Sequence, residues 1–305
     1  MNIIGKRYWF YLISAILIIP GVISLAAFGF KPGVEFQSGT TFTTRFSTEI
    51  KQDSLRQELS KLGYDEAVIQ KTGEGDYIIR TKEISTEAKQ ELIAGLEKSL
   101  DTTITIRDFF AVSPIVAGET GRNAAIAVII AAVFMLFYIA LAFRRIPKSF
   151  RWGTCAILCL IHDVVLVMGI YSILGWTLGV QVDAMFISGM LTVVGYSINN
   201  TIVVFDRIRE NVSKGLSRDF EVTVNSSILE TIGRCLNTSL TTLFPIVAIF
   251  LLGGATIHYF ILTLLLGVAV GTYDSICIAG SLLVSWDKGE IRKLFTRPST
   301  ATKLT

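Results

Sequence analysis

Charge is scarce in this chain. Lys, Arg, Asp and Glu make up 17% of its 305 residues, against roughly 25% in soluble domains. Together with a mean hydropathy of +0.56, that excludes an ordinary soluble enzyme. Cysteine is sparse too. Cys155, Cys159, Cys235 and Cys277 lie in or beside apolar runs, with no C-x-x-C pair. Neither a disulfide framework nor a zinc site is expected from that spacing; they read as small apolar residues in packed helices. A Walker-type phosphate loop is missing, so nucleotide-driven work has no element to rest on. The formal net charge of +3 is too small to point to nucleic acid. No metal, no cofactor and no enzymatic reaction are expected.

What charge there is falls unevenly. Residues 29–122 hold 27 of the charged side chains, 12 basic and 15 acidic, so a polar domain is set inside an apolar chain. The first apolar run, Trp9 to Phe28, is longer than the 7–15 residues of a signal-peptide core, and no small-x-small cleavage site follows it. It reads as an uncleaved anchor. Five further runs, at about 124–143, 153–173, 184–205, 236–255 and 259–284, reach the roughly 20 residues that cross a bilayer. The expected fold is a polytopic α-helical membrane protein of six transmembrane helices, with one large insertion between helices 1 and 2.

Basic residues orient the six spans. Lys6 and Arg7, then Arg144, Arg145, Lys148 and Arg151, fall on one side. So do Arg207, Arg209, Lys214, Arg218 and Arg234, followed by Lys288, Arg292, Lys293, Arg297 and Lys303. The opposite connections, near 174–182 and 256–258, carry no Lys or Arg. Both termini are therefore expected in the cytoplasm and the 29–122 domain outside it. The expected division is 1–28 for the N-terminus and first helix, 29–122 for the outer domain, 123–285 for helices 2–6 and 286–305 for a cytoplasmic tail.

Inside 29–122, Thr40–Phe46 and Asp76–Lys82 alternate with period two, and Glu66–Lys71 and Thr102–Val112 supply two more strands. Lys51–Leu62 and Thr86–Leu100 are amphipathic at helical spacing. The order β-α-β-β-α-β predicts a ferredoxin-like α+β sandwich. This domain has no histidine, no cysteine and no glycine-rich loop, and most of its charge reads as a solvated surface.

Ionisable and amide groups at membrane depth are costly, which makes each a functional candidate. His162 and Asp163 sit near the middle of the third helix. Asn199, Asn200, Asp206 and Arg207 lie on the fourth, Arg234 and Asn237 on the fifth, and Asp274 on the sixth. Tyr196, Asn200, Val203 and Arg207 fall on one stripe, with Asn199 and Asp206 on the next. Asp206, Arg207 and Arg234 also suit the bland role of charges marking helix ends. Asp274 lies about 15 Å from its cytoplasmic end at 1.5 Å per residue, too deep for so short a side chain to reach water. Gly267-x-x-x-Gly271, with Gly189 and Gly195, predicts close helix approach. Pro20 and Pro245 are expected to kink their helices.

The run GMLTVVGYSINNTIVVFDRIREN (189–211), followed by RCLNTSLTTL (234–243), resembles the SecF family of the RND superfamily. PGVEFQSGT (32–40), the His162-Asp163 pair and GTYDS (271–275) support the resemblance, which covers nearly the whole chain. It implies a subunit of the Sec pathway in the bacterial cytoplasmic (inner) membrane. There it would use the proton-motive force with SecD to assist late export of a translocating polypeptide. The implied partners are SecD, the SecYEG channel, YajC and membrane lipid. Family members usually carry an aspartate where this chain has Asn200, and Arg234 matches the family's functionally important arginine. An amide keeps the shape but carries no proton. Three readings of Asn200 stand: an engineered mimic of a protonated acid, a natural amide with the relay resting on SecD's acid, or relocation of the carboxylate to Asp274. Ser38 replaces the first glycine of the family's G-G-T and Glu35 its commoner aspartate, so a different loop backbone is expected there. Two other functions remain open: a non-pumping subunit that stabilises SecD or the channel, and half of an RND-type exporter of lipids or small molecules.

Overall fold

Backbone polar groups find no partner in lipid, so long apolar runs close their hydrogen bonds internally as helices. The computed structural model describes residues 2–72, 75–144, 149–254 and 257–290. Of the orienting basic residues, Arg145, Lys148, Arg292, Lys293, Arg297 and Lys303 lie outside these, as does most of the tail. Among the described residues six helices are long and apolar enough to cross a membrane. They are α1 (Arg7–Phe28, led by a short turn from Ile4), α5 (Pro114–Phe143), α6 (Ser149–Leu178), α7 (Ala184–Ser213) and α8 (Phe220–Leu252), then α9 (His258–Tyr273). The last span continues through a π-turn at Asp274–Ile278 into α10 (Ala279–Asp287). Several helices outrun the apolar core of their sequence. α5 begins at Pro114 because proline suits the first helical position, and its opening turns carry Glu119 and Arg122. α1 and α8 run uninterrupted past Pro20 and Pro245.

Between α1 and α5 the chain forms a short turn of helix, α2 (Val34–Gln37), and then β1 (Gly39–Phe46), α3 (Gln52–Lys61), β2 (Val68–Lys71), β3 (Tyr77–Thr81), α4 (Thr86–Leu100) and β4 (Ile104–Val112). The sheet order is β2-β3-β1-β4 with every pairing antiparallel. That is the ferredoxin-like arrangement expected from the sequence. Alternating burial along β1 and β3 puts Phe42, Tyr77 and Ile79 into one core with Leu55 and Leu59 of α3 and Leu92 and Leu96 of α4. Ser85 caps α4 through the Ala88 N–H.

Close approach organises the membrane bundle. A Cβ on Gly21 would lie 2.7 Å from the Cα of Gly169, so α1 and α6 cross backbone to backbone, locked by Ser24 and Ser172 at 2.8 Å. A Cβ on Gly267 would lie 2.0 Å from Val193, and one on Gly271 would lie 3.2 Å from Ser197. The small-residue pair therefore admits α7 against α9. Gly189 does likewise against Thr263, but Gly195 faces nothing within 4 Å, contrary to the close approach expected of it.

The sheet domain is tied to the bundle at one end. Lys31–Gly33 pairs with Val182 at 2.7 and 2.8 Å, Glu35 accepts the Ala184 N–H at 2.6 Å, and Gln70 hydrogen-bonds the Tyr259 hydroxyl. At the opposite end Arg7 bridges Glu221 (3.3 Å) and Glu290 (2.7 Å), and Arg151 meets Asp287 at 3.0 Å. Ser38, in the loop where the backbone was expected to differ, keeps a glycine-favouring φ of +67°.

Candidate ion-coupling site

Halfway along the bundle, buried polar side chains gather on both faces of α7. α7 is the divider, because its two buried faces present different chemistry to α8 and to α6.

The stripe read from the sequence faces α8. Asn200, buried, donates to Ser239 Oγ at 3.2 Å. The Tyr196 hydroxyl reaches the same atom at 3.3 Å and Thr272 Oγ1 lies 2.6 Å from it. A serine hydroxyl has one hydrogen and two lone pairs, so three contacts use it fully. Further along, Arg207 meets Glu230 and Glu210 at 2.5 Å each, while Asn211 donates to Ser227 at 2.9 Å. Asp206 pairs with Arg209 at 2.6 Å on the exposed side. Arg207 and Asp206 thus fasten a helix end.

On the other face α6 supplies His162 and Asp163. Asp163 is fully buried; its Oδ2 accepts from Ser197 of α7 and its Oδ1 lies 3.0 Å from His162 Nδ1. Gly271 makes room here, since a Cβ on it would stand 3.3 Å from Asp163 Oδ2. His162 Nε2 lies 3.0 Å from Ser14 Oγ of α1, and Ser14 lies 3.4 Å from the Tyr273 hydroxyl. Asp274, also fully buried, brings Oδ1 to 3.4 Å from the same His162 Nδ1. Among the described residues no nitrogen or oxygen donor hydrogen-bonds either oxygen of Asp274, and the Cys159 thiol is the weak donor beside it. The ligand-type atoms of His162, Asp163 and Asp274 lie within 4.8 Å of one another, and among the described residues no other group of three or more His, Cys, Asp or Glu is gathered so closely. Asp274 opens the π-turn, a distortion of the helix often found at functional positions.

Asp274 therefore keeps company with His162 and Asp163, not with Asn200 or Arg234. Arg234 is exposed on α8 and makes no hydrogen bond or ion pair among the described residues; Asn199 and Asn237 are exposed as well. Sequence reasoning missed Ser14, Ser197, Thr201 and Ser275. A hydroxyl in a helix normally bonds back to its own i−4 carbonyl, as Ser275 does to Gly271. Only packing shows that Thr201 and Ser275 also meet, at 3.0 Å. Outside the membrane, burial raises the carboxyl of Glu35 above its ordinary value, with the Ala184 N–H opposing. Burial likewise raises Asp183, which caps α7 through the Phe186 N–H at 2.8 Å.

Six spans around a buried polar layer, with one ferredoxin-like domain between the first two, define a polytopic membrane protein. Comparison with known proteins gives this plan its family. The family described as protein export membrane protein SecD/SecF, C-terminal, matches residues 93–289, and the SecD/SecF GG motif matches residues 23–50. Protein translocase subunit SecF of Thermobaculum terrenum is 39% identical, with 97% of each chain covered. That of Anaerolinea thermophila is 38% identical, again with 97% of each covered. The crystal structure of SecDF, a translocon-associated membrane protein from Thermus thermophilus, superposes with a TM-score of 0.83 at 34% identity, over 94% of this chain and 39% of that one. This chain belongs to the SecF family of protein translocase subunits, within the SecD/SecF group of protein-export membrane proteins.

Proposed function

We propose that this chain acts with a SecD-type partner to draw polypeptides outward late in export through SecYEG, driven by the proton-motive force. It would sit in the cytoplasmic membrane with both termini inside and the 29–122 domain outside. The observation that carries this reading is mechanical. α7 and α9 both hold the sheet domain at one end, through Ala184 and Tyr259, and both line the buried polar layer halfway along. A change in helix packing at the layer is thereby delivered to the domain that would handle the polypeptide. A long SecDF chain that contains this fold as 39% of its length supports SecD as the rest of the machine. So does the outward face of α7 and α8, where Gly195, Asn199, Arg234 and Asn237 stand exposed at membrane depth. A lone guanidinium in lipid is costly, and a carboxylate on a partner helix would neutralise it. YajC and lipid complete the surroundings without a site of their own here.

The test is export by the complete complex in proteoliposomes. In a Gln70→Cys, Tyr259→Cys protein the two positions are joined by a reducible bifunctional maleimide. Export that depends on a proton gradient is expected to fall in the unjoined protein, which has lost the Gln70–Tyr259 contact, and to recover when the link restores it. Undiminished export by the unjoined protein would overturn the coupling.

A second reading has its own observation. Asn200 carries no proton and is satisfied by Ser239, as a subunit that only braces SecD or the channel would have it. Proton flux surviving neutralisation of the partner's acid would rule that reading out.

A further inference from the structure

Two carboxyl groups and an imidazole are enclosed between α6 and the π-turn of the last span, and their charges do not balance. Asp163 and Asp274 are each fully buried. The described side chains around Asp274 are His162, Asp163 and Cys159 of α6, with Tyr273 and Cys277 on its own span. α1 contributes Ser14, and α7 contributes Ser197 and Thr201, all uncharged hydroxyls. At the same depth α8 contributes Ser239, while its Arg234 is exposed and pairs with neither acid. Among the described residues no lysine or arginine reaches the cluster. Two carboxylates so enclosed cannot both stay ionised without compensation, and Asp274, with only the weak Cys159 thiol and His162 at 3.4 Å beside its oxygens, is the side left open.

We infer that His162, Asp163 and Asp274 form an exchangeable proton-binding site, with Asp274 carrying the proton and His162 as the group that delivers it. The geometry favours a proton over an alkali cation. What stands between the acids is imidazole Nδ1, 3.0 Å from Asp163 and 3.4 Å from Asp274, where an alkali cation would need a cage of oxygens. The other ring nitrogen faces Ser14 at 3.0 Å. When Nε2 takes a proton from that side, Nδ1 can release its own to Asp274 Oδ1, so one proton enters the ring as one leaves. His162 is the least buried of the three, with its side chain 11% exposed, which makes it the way in. The Ser14–Tyr273 contact and the bond from the Tyr273 hydroxyl to the Phe10 carbonyl (2.8 Å) extend hydroxyls from it along α1. The π-turn gives the site a movable part, because losing or gaining its extra residue would turn Asp274 relative to His162.

This refines the ion-coupled reading above by naming where the proton is held, and depends on that reading only for what the proton drives. The test uses the full chain with its SecD-type partner in lipid nanodiscs, titrated with acid and base while infrared difference spectra follow the carboxylic-acid C=O stretch. Wild type is expected to show a pH-dependent band sensitive to deuterium, absent in Asp274→Asn and shifted or absent in Asp163→Asn, and unmoved by sodium. In His162→Gln the band should remain while its response to a pH jump slows. Proton-gradient-driven export in proteoliposomes should fall about tenfold or more in Asp274→Asn. A band unchanged in Asp274→Asn overturns the site, as does a band displaced by sodium. If the band behaves as expected but export ignores the proton gradient, the site stands and the ion-coupled reading falls. If export follows the gradient and Asp274→Asn is unaffected, the reverse holds.

Discussion

Two polar clusters lie back to back across α7, made of similar residues at similar depth, and they close their hydrogen bonds differently. Around Ser239 everything is neutral: Tyr196, Asn200 and Thr272 converge on one hydroxyl and use its capacity. Around His162 the groups are ionisable, and Asp274 has only the weak Cys159 thiol and His162 at 3.4 Å beside its oxygens. A satisfied neutral network holds helices in one arrangement whatever the pH. An under-satisfied acidic one has room for a proton and responds when it arrives. At Asn200, where the resemblance implies an acid, this chain has the closed network; the open one lies on the opposite face. Proton binding at the acidic cluster, as inferred above, would place the bundle's proton chemistry away from Asn200.

The comparison can be broken most severely where the clusters meet. Gly271 touches Ser197 and approaches Asp163 Oδ2. Gly271→Leu should push α7, α6 and α9 apart and cost about 3 kcal/mol or more, read as a large drop in Tm in detergent. A Tm near wild type would show that the packing here is loose. Ser239→Ala sharpens the contrast. It strips Tyr196, Asn200 and Thr272 of a shared partner and should destabilise by about 1–3 kcal/mol, with the infrared carboxyl band untouched. Movement of that band would mean that the clusters are one network.

The smallest effect lies outside the membrane, where an acid sits against the end of α7 rather than inside the bundle. Burial raises Glu35, so the folded protein holds its proton to higher pH than the unfolded chain. Its contribution is therefore full below the ordinary carboxylate value of about 4.3 and is lost as pH rises through the folded value. Glu35→Gln should flatten that part of the stability–pH curve, measured by Tm in steps of pH, and leave the rest unchanged. An unaltered slope would assign the dependence to Asp183, which burial raises in the same direction.

Much of this was legible from residues alone, for identifiable reasons. Apolar runs must be helices in lipid, so six spans could be counted. Period-two and amphipathic stretches gave the sandwich its element order, and antiparallel pairing followed from it. The stripe of Tyr196, Asn200 and Arg207 is fixed by helical spacing within one element, and the structure keeps all three facing α8. The partners of Asp274 were not legible. Its depth marked it as a candidate, but Arg234 and Asn200 were as reasonable a destination as His162. The π-turn carries no proline or glycine to announce it. Ser14 and Ser197 look like any helix hydroxyl until another helix crosses them.

The sequence by itself determined that this is a six-span membrane protein with a ferredoxin-like insertion and SecF-type motifs, because composition and period are properties of the chain alone. Only the tertiary structure decided which polar groups share an enclosure. That depends on the rotation of each helix about its axis, set by close contacts such as Gly21 on Gly169 and Gly267 on Val193. Those contacts turn Asn200 toward a neutral serine, and Asp274 toward a histidine and a second acid.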